Sequence, residues 1–321
     1  MPKKRHTKRL RLHAEPGYHR PAYADGAVRG MRRSPTAVRV MQNPMKKRIA
    51  FQGVPGAYSD LACRSAQPDF ETLPCFSFEE VFAVVLDKQA DLAMLPIENS
   101  TAGRVADMHH LLPEGGLYII GEHYQPVIHH LLALPGVALK DIRKARSHPQ
   151  ALAQCRRWLR SHTIEPVVAT DTAGAAAELS KLEDKSVASI ASELAGKIYG
   201  LQSLASNIAD QQNNTTRFLI LAPEAKRPDP GKGPCITTLI FRVRSVPAAL
   251  YKALGGFATN GVNITKIESY LVDGRFTAAQ FYLDVEGHPE ETGLKLALEE
   301  LSFFAHEVKI MGVYPAHSFR G

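Results

Sequence analysis

Residues 213–221 read N-N-T-T-R-F-L-I-L. In this stretch, polar hydrogen-bonding side chains and one guanidinium stand directly before an apolar run. This order is typical of a site loop that leads into a buried strand. Neighbouring side chains of a regular strand face opposite sides of the sheet, so Thr216 and Arg217 cannot both point into one cleft from such a strand. Either the two residues lie in an irregular entry to the strand, or Arg217 braces the scaffold.

The chain before this stretch alternates short apolar runs with helical periodicity. Such alternation predicts α/β layers with parallel strand pairing. Strands are predicted at residues 48–52, 91–95, 117–122, 126–134, 164–169 and 187–190, and helices after Tyr58 and at residues 78–87, 149–160, 173–182 and 192–199.

Residues 223–234 (P-E-A-K-R-P-D-P-G-K-G-P) have the composition of a linker, and the pattern changes beyond them. Strands are predicted around Phe241, at 263–271 and 276–285 on either side of an Asp273-Gly274 hairpin signal, and at 308–313. Amphipathic helices are predicted at 250–257 and 294–301. The resulting order βαββαβ is the ferredoxin-like pattern.

The net charge of +7 comes from the N-terminal tail. Residues 1–48 hold 14 of the 39 Lys and Arg residues but only 2 of the 32 acidic residues, so the remainder holds 25 basic and 30 acidic residues. A basic chain often binds nucleic acid. The body of this chain is mildly acidic, so we expect no nucleic-acid partner.

Residues 1–45 mix Lys and Arg with Pro and Gly and show no helical period, so we expect a disordered basic extension. Three interpretations of this tail remain open. Its start is assigned too early, because Met45 opens directly onto the first strand; or it is an Arg-rich organelle-targeting leader, although Ser34 is its single serine; or it is an arm that binds polyanions.

The four cysteines form neither a C-x-x-C pair nor a metal-like spacing, which favours reduced thiols in a cytoplasmic protein. No apolar run approaches the roughly 18 residues of a membrane span, so we expect no membrane partner. Nucleotide-binding glycine motifs do not occur. The histidine pairs at 109–110 and 129–130 lack matching ligands, which favours solvated or core histidines over a metal site.

Five ordered segments resemble conserved blocks of the prephenate dehydratase family. They read F-Q-G-V-P-G-A-Y-S at 51–59, P-I-E-N-S-T-A-G at 96–103, S-H-P-Q-A-L-A-Q-C at 147–155, T-D-T-A-G-A-A at 170–176, and T-R-F at 216–218. A sixth, G-V-N-I-T-K-I-E-S at 261–269, resembles the ACT domain that follows in this family. The resemblance implies a two-lobed catalytic domain similar to periplasmic binding proteins at 46–222, the linker at 223–234, and an ACT domain at 235–318.

The resemblance also implies an activity, the conversion of prephenate to phenylpyruvate, water and carbon dioxide without a cofactor. Some relatives carry a helical chorismate mutase domain in front, but the tail here is too short and too rich in proline, so we expect a monofunctional enzyme. Two alternatives stay open. An arogenate dehydratase would act on the aminated substrate with the same machinery, and a non-catalytic amino-acid sensor would use the same fold.

The resemblance assigns the site residues. Thr216 is the expected donor to the departing hydroxyl, and Arg217 is the expected holder of a carboxylate. The other expected substrate-binding residues are Asn99, Ser100, Ser147, Gln150, Thr172, Ala173 and Phe218. Ser and Thr before helices are, taken singly, more often caps than ligands. Glu98 would repel a dianion, so a structural role is expected for it.

The C-terminal motifs depart from the family pattern. Where relatives read P-G-A-L, residues 247–250 read P-A-A-L; where relatives read E-S-R-P, residues 268–271 read E-S-Y-L. A β-carbon at Ala248 would crowd a close backbone approach, so we expect weak control by L-phenylalanine. The regulatory positions are Ala248, Ala249, Leu250, Asn263, Glu268 and Ser269. An ACT domain also implies pairing with a second copy, as a dimer or tetramer.

Overall fold

The computed structural model describes residues 46–243, 246–272 and 275–320. In these residues the strands are β1 (Arg48–Gln52), β2 (Glu71–Cys75), β3 (Leu92–Asn99), β4 (Gly103–Arg104), β5 (Tyr118–Pro126), β6 (His130–Ala133), β7 (Lys144–Ser147), β8 (Glu165–Val168), β9 (Val187–Ala191), β10 (Gln202–Ala205), β11 (Thr215–Ala222), β12 (Cys235–Val243), β13 (Ile264–Val272), β14 (Arg275–Glu286) and β15 (Ala305–Pro315). The helices are α1 (Tyr58–Ala66), α2 (Phe78–Leu86), α3 (Ala106–Glu114), α4 (Pro149–Gln154), α5 (Arg156–Ser161), α6 (Thr172–Leu179), α7 (Glu193–Tyr199), α8 (Ala249–Thr259) and α9 (Thr292–Phe304).

These elements form two sheets. The larger has the order β13-β14-β12-β15-β5-β11-β3-β1-β2, with β4 added to β3, and the smaller has the order β10-β6-β9-β7-β8. We call β1 to β5 and β11 with α1 to α3 lobe 1, and β6 to β10 with α4 to α7 lobe 2. Buried apolar side chains lie on both faces of β11, so this strand is a central element of the larger sheet.

The chain crosses between the lobes twice, and the two crossings are bonded to each other. Val127 N donates to Asn214 O at 2.8 Å, and Ile208 N donates to His129 O at 3.1 Å. The lobes also touch at Gly56, whose φ is +89°, because a β-carbon there would lie 2.7 Å from Ala195 Cα on α7. The glycine turn after β1 therefore serves contact between the lobes.

The C-terminal region, β12 to β15 with α8 and α9, has the ferredoxin-like strand order β13-β14-β12-β15. Its two helices cover one face of its sheet around Phe241, Phe257 and Leu301. Its other face packs on lobe 1, and its sheet joins that of lobe 1 where Gly312 pairs with Ile119. A β-carbon at Gly312 would lie 2.1 Å from Ile119 O, so only glycine permits this junction.

The predicted fold class is confirmed, and most predicted elements are present at the expected places. The helix predicted at 149–160 is divided at Cys155 into α4 and α5. Sequence reasoning missed β2, β7 and β10 because these short strands show neither an apolar run nor clear alternation. The Asp273-Gly274 hairpin and the predictions for residues 1–45 lie outside the described residues. Within the described ranges, no helix has both the length and the apolar character needed to cross a bilayer.

Candidate active site

A cavity of about 290 Å³ lies between the lobes, at the end of β3 and β11 and in front of α4 and α6. This volume is close to the lower end of small-ligand pockets, roughly 300 Å³. Most of its lining residues are neutral and polar, with Arg104 as a charged member. The lining residues are Tyr58, Asn99, Ala102, Gly103, Arg104, Val105, Val127, His129, His148, Gln150, Ala151, Gln154, Thr172, Asn214 and Thr216.

Thr216 presents its hydroxyl to this cleft with a fixed oxygen and an available proton. Asn99 Nδ2 donates to Thr216 Oγ1 at 2.9 Å. A hydroxyl has one proton to give and two lone pairs to accept with, so this bond leaves the Thr216 proton uncommitted. Among the described residues, no acceptor takes that proton. The residue is therefore poised to donate to a group bound in the cleft.

The orientation of the Asn99 amide follows from its surroundings. Its Oδ1 accepts from the backbone N–H of Thr101 at 3.0 Å and of Ala102 at 2.9 Å. Backbone N–H groups only donate, so this atom is the oxygen, and the NH₂ group must face Thr216 and Asn214. The bond from Asn99 Nδ2 to Asn214 Oδ1 is 2.7 Å long. Asn99 is thus a fixed donor to the oxygen of Thr216.

A chain of neutral groups continues from Asn214 across the cleft. Asn214 Nδ2 donates to Gln154 Oε1 at 3.0 Å, and His129 Nε2 lies 2.8 Å from the same oxygen. His129 Nδ1 lies 2.9 Å from the Tyr58 hydroxyl, which also donates to Ile128 O at 2.8 Å. Burial lowers the pKa of His129, so the imidazole is neutral. Burial also raises the pKa of Tyr58. The two lobes are therefore linked by hydrogen bonds without a net charge.

The helix starts on lobe 2 supply the opposite wall. Pro149 opens α4 behind the cap His148, whose Nδ1 accepts from Gln150 N at 3.2 Å. Asp171 caps α6 by accepting from Gly174 N at 2.5 Å. Thr172 at the first position of α6 lines the cleft. The first N–H groups of a helix have no partner within it and suit anions. The expectation that helix starts face the cleft is met at Gln150 and Thr172.

Arg217 faces the other side of β11, so the expectation that it holds a substrate carboxylate is wrong. Its guanidinium is 3% exposed and donates to Glu122 at 2.8 Å, to Glu98 at 3.0 Å, to Asp284 at 2.6 Å and to the Tyr314 hydroxyl at 3.1 Å. Strand alternation explains this position. Burial alone would lower the pKa of Arg217, but Asp284 and the other acidic partners raise it. The scaffold-bracing alternative is confirmed.

Four other predicted residues also lie away from the cleft. The buried Ser147 hydroxyl donates to Ile190 O at 2.6 Å and ties β7 to β9. Ser100 Oγ donates to Asn213 O at 2.8 Å and borders a separate cavity of about 550 Å³. Phe218 and Ala173 are buried in the cores of lobe 1 and lobe 2. The two serine hydroxyls donate to backbone carbonyls, and the two apolar side chains pack in the cores. These four residues therefore support the cleft wall without lining the cleft.

Sequence reasoning missed His129, Gln154, Asn214 and Arg104 as cleft residues. Gln154 lies in the predicted segment 147–155, and Asn214 directly precedes the T-R-F segment, so both carried a signal through their place in those blocks. His129 gave none, because its partners are 71 and 25 residues away along the chain. Only the fold brings these groups together.

The predicted regulatory positions lie on the C-terminal region. Ala248 caps α8 with φ +59°, a left-handed conformation that favours glycine. The ring of Tyr270 meets His110 of α3 edge-on. The Tyr270 hydroxyl accepts from Gln280 of β14 at 2.6 Å. Glu268 and the Ser269 carbonyl contact Arg104. Ala249 is buried, Leu250 packs on the helix-side core, and Asn263 is exposed.

Comparison with known proteins decides the family. The family model described as prephenate dehydratase matches residues 49–226, more than half of the chain. The chain belongs to the prephenate dehydratase family. It is accordingly a hydro-lyase of aromatic amino-acid biosynthesis, and the alternative of a non-catalytic sensor is set aside.

Two curated relatives cover most of the chain. A protein of Komagataeibacter europaeus named bifunctional N-acyl-homoserine lactone acylase/prephenate dehydratase is 54% identical over 273 residues, 85% of this chain and 97% of that protein. The chloroplastic arogenate dehydratase/prephenate dehydratase 1 of Arabidopsis thaliana is 42% identical over 84% of this chain and 72% of that protein.

Two solved structures agree with the fold. The quorum-quenching acylase GqqA is 53% identical with a TM-score of 0.81, and the alignment covers 86% of this chain and 100% of that one. The Arthrobacter aurescens prephenate dehydratase in complex with L-phenylalanine is 30% identical with a TM-score of 0.76, over 84% of this chain and 90% of that one. The lobes are thus those of the family, and the C-terminal region is consistent with its ACT domain.

Proposed function

We propose that this enzyme converts prephenate to phenylpyruvate, with Thr216 as the donor to the departing hydroxyl. The observation that carries the proposal is the Thr216 hydroxyl in the cleft. Its oxygen accepts a hydrogen bond from Asn99, and its proton has no acceptor among the described residues. In this reaction, the ring carboxylate leaves as carbon dioxide, and the electron pair of its carbon–carbon bond moves into the ring while the carbon–oxygen bond at the opposite ring carbon breaks. The ring becomes aromatic as that bond breaks, and the oxygen leaves with its electron pair and takes up a proton to become water.

Thr216 assists the breaking of the carbon–oxygen bond. Its O–H donates to the departing oxygen as negative charge develops there, and Asn99 polarises the same O–H by donating to Oγ1. Assistance by a positioned donor is worth roughly 10²–10⁴-fold. The charge of the substrate falls on the lobe 2 wall, where Gln150, Thr172 and the free N–H groups at the start of α6 offer donors.

Prephenate is favoured over arogenate because the described cleft lining offers no carboxylate to an ammonium group. Arogenate carries an ammonium group, which a carboxylate would recognise. None of the lining residues in the described part of the chain is Asp or Glu. Some relatives from Arabidopsis and Petunia are named arogenate dehydratases, so arogenate is the competing substrate. We propose that kcat/KM is higher for prephenate than for arogenate.

The name of the Komagataeibacter relative suggests an acylase as a second activity. Amide hydrolysis requires a nucleophile beside a base. Here the hydrogen-bond partner of the Thr216 hydroxyl is the Asn99 amide, which is not a base. Cys155 is buried, and burial and Asp210 raise its pKa to about 12. The geometry therefore supports dehydration better, and release of fatty acid from an N-acyl-homoserine lactone checks the alternative.

The test uses purified full-length protein with prephenate and, separately, arogenate. We expect phenylpyruvate, identified by its absorbance in alkali, and a lower kcat/KM for phenylalanine formation from arogenate. Absence of turnover on both substrates would overturn the proposal. A preference for arogenate would keep the chemistry and reverse the assignment of substrate.

We further propose an effector, an assembly and a location. L-Phenylalanine is the effector candidate, since the Arthrobacter structure contains it, and the departures at Ala248 and Tyr270 weaken its effect. The edge strand β13 offers a pairing surface for a homodimer or tetramer. Four buried, unpaired cysteines suit the reducing cytoplasm.

A further inference from the structure

At the cleft end of lobe 1, three strands place a cleft residue on one face and a charged residue directly behind it. Thr216 pairs with Asn99 in the same register in which Arg217 pairs with Glu98. On the other side of β3, Asn99 pairs with Gly103 and Glu98 pairs with Arg104. Thr216, Asn99 and Gly103 line the cleft. By alternation, Arg217, Glu98 and the guanidinium of Arg104 share the back face, although Arg104 also borders the cleft.

The C-terminal region holds all three charged residues of that back face. Arg217 Nη1 donates to Asp284 Oδ2 at 2.6 Å. Lys266 Nζ donates to Glu98 Oε2 at 2.6 Å. These residues, together with Arg104 and Glu268, are called the back-face ion layer below.

The remaining contacts of the layer join it to β13. Arg104 Nη1 donates to Ser269 O at 3.0 Å and to Glu268 Oε2 at 3.4 Å. Lys266 Nζ also donates to Glu268 at 3.2 Å. One strand of the C-terminal region thus reaches behind both β3 and β4.

The layer is balanced in charge and buried on one side only. The side chains of Arg217, Asp284 and Lys266 are 3%, 0% and 10% exposed, whereas those of Glu98, Glu268 and Arg104 are 33%, 27% and 44% exposed. Burial alone would raise the pKa of Glu98, but Lys266 and then Arg217 outweigh it and lower the pKa. Salt therefore weakens the buried Arg217–Asp284 pair least, the half-buried Lys266–Glu98 pair more, and the exposed Arg104–Glu268 pair most.

The backbone at this end of lobe 1 is irregular. The register between β11 and β3 shifts between Arg217 and Phe218, and β4 has only two residues. The shift leaves Ile97 without a partner on β11, while Glu98 and Asn99 stay paired with Arg217 and Thr216. The ion pairs of Glu98 therefore tie β3 to β13 directly beside this irregularity and one residue before Asn99.

We propose that Glu98 and Lys266 are positioning residues, which hold Asn99 and Thr216 at their working distance by tying β3 to β13. The proposal rests on the proposed function only in that it takes the Thr216–Asn99 pair as the reacting site. It makes the C-terminal region a physical part of that site, and it gives any ligand that moves β13 a direct route to the cleft.

The test compares Lys266→Met with the matched control Lys309→Met. Lys309 also joins the C-terminal region to lobe 1, through a 2.5 Å bond to Pro113 O on α3, but it lies outside the layer and the cleft lining. Misplacement by about 1 Å costs on the order of 10²-fold in rate. We expect Lys266→Met to lower kcat by roughly 10- to 100-fold with KM within about twofold, and Lys309→Met to leave kcat within about twofold.

Two further variants separate positioning from general stability. Lys266→Arg should restore most of kcat because it keeps the charge behind Glu98. The double variant Glu98→Gln/Lys266→Met should have a kcat no lower than that of the poorer single variant, because both substitutions break the same Lys266–Glu98 contact. An equal effect of Lys266→Met and Lys309→Met on kcat, or a lower melting temperature with unchanged kcat, would overturn the proposal.

Amide hydrogen exchange gives a readout that does not need turnover. We expect faster exchange at residues 97–103 and 214–217 in Lys266→Met and parental exchange there in Lys309→Met. An inactive parent with this exchange pattern would refute the proposed function alone. An active parent with unchanged exchange and unchanged kcat in Lys266→Met would refute the positioning alone.

Discussion

Thr216 and Arg217 are neighbours on β11, yet they face environments of opposite kind. The cleft side carries neutral hydroxyl and amide groups joined by hydrogen bonds. The back side carries charged residues paired across the junction with the C-terminal region. The difference teaches that most of the charge near this site serves the frame, whereas neutral donors serve the reaction; Arg104, which borders the cleft and contacts β13, is the exception. This division suits a dianionic substrate, since fixed carboxylates on the cleft wall would repel it.

The largest effect on stability is expected from Arg217→Met. This change leaves Glu122 and Asp284 as buried carboxylates without their main partner. Removal of one member of a buried pair costs about 3–5 kcal/mol, so the free energy of unfolding should fall by that amount in urea titrations. Arg157→Met is the control, because its pair with Asp210 is 77% exposed on the arginine side and should cost less than about 1 kcal/mol. Similar losses in both variants would remove the contrast between the two faces.

A smaller effect, mainly on rate, is expected from Asn99→Ala. The variant loses the donor to Thr216 Oγ1 and the acceptor of the Thr101 and Ala102 N–H groups, while the back-face pairs remain. We expect kcat, measured as phenylpyruvate formation, to fall roughly 10- to 100-fold, which is less than the roughly 10²–10³-fold cost of a lost donor that touches the transition state, because Asn99 acts through Thr216. The Asn99→Asp variant should be worse still, because a carboxylate brings charge to the neutral face. Parental kcat in Asn99→Ala would show that Thr216 needs no fixed partner.

The dependence of stability on pH separates the faces again. The pKa values of His129, Glu98 and Glu122 are lowered in the folded protein. A group with a lowered pKa contributes stability above its unfolded pKa and loses it as the pH falls through its folded value. The melting temperature should therefore be flat near pH 7–8, decline below about pH 6.5 as histidines charge, and decline further below about pH 4.5. A rise between pH 7 and pH 5.5 would contradict these directions.

The smallest effect is expected from Ala248→Gly. Ala248 adopts φ +59°, a conformation that costs an L-residue roughly 1–2 kcal/mol. Glycine relieves this strain but adds freedom to the unfolded chain, so a net gain of about 1 kcal/mol is expected. The same change restores the family glycine, so inhibition by L-phenylalanine should become stronger than in the parent. An unchanged inhibition curve would show that Ala248 does not limit the effector.

The sequence predicted the fold class because strand and helix periodicities are local. It also predicted that Thr216 faces the cleft, and alternation restricted Arg217 to two geometries. The choice between them could not be made, because the partners Asp284 and Tyr314 lie 67 and 97 residues further along the chain. The network of His129, Gln154 and Asn214 was missed for the same reason. Ser147 and Ala173 were misplaced because their segments adjoin the cleft while their side chains turn into the core.

The most direct test of the division between the faces is kcat of Thr216→Ala on prephenate, with the melting temperature measured in parallel. We predict that kcat falls by roughly 10²–10⁴-fold, that the melting temperature stays within about 2 °C of the parent, and that Thr216→Ser restores much of the rate. Turnover of Thr216→Ala within a few-fold of the parent, at an unchanged melting temperature, would contradict the role of the Thr216 hydroxyl.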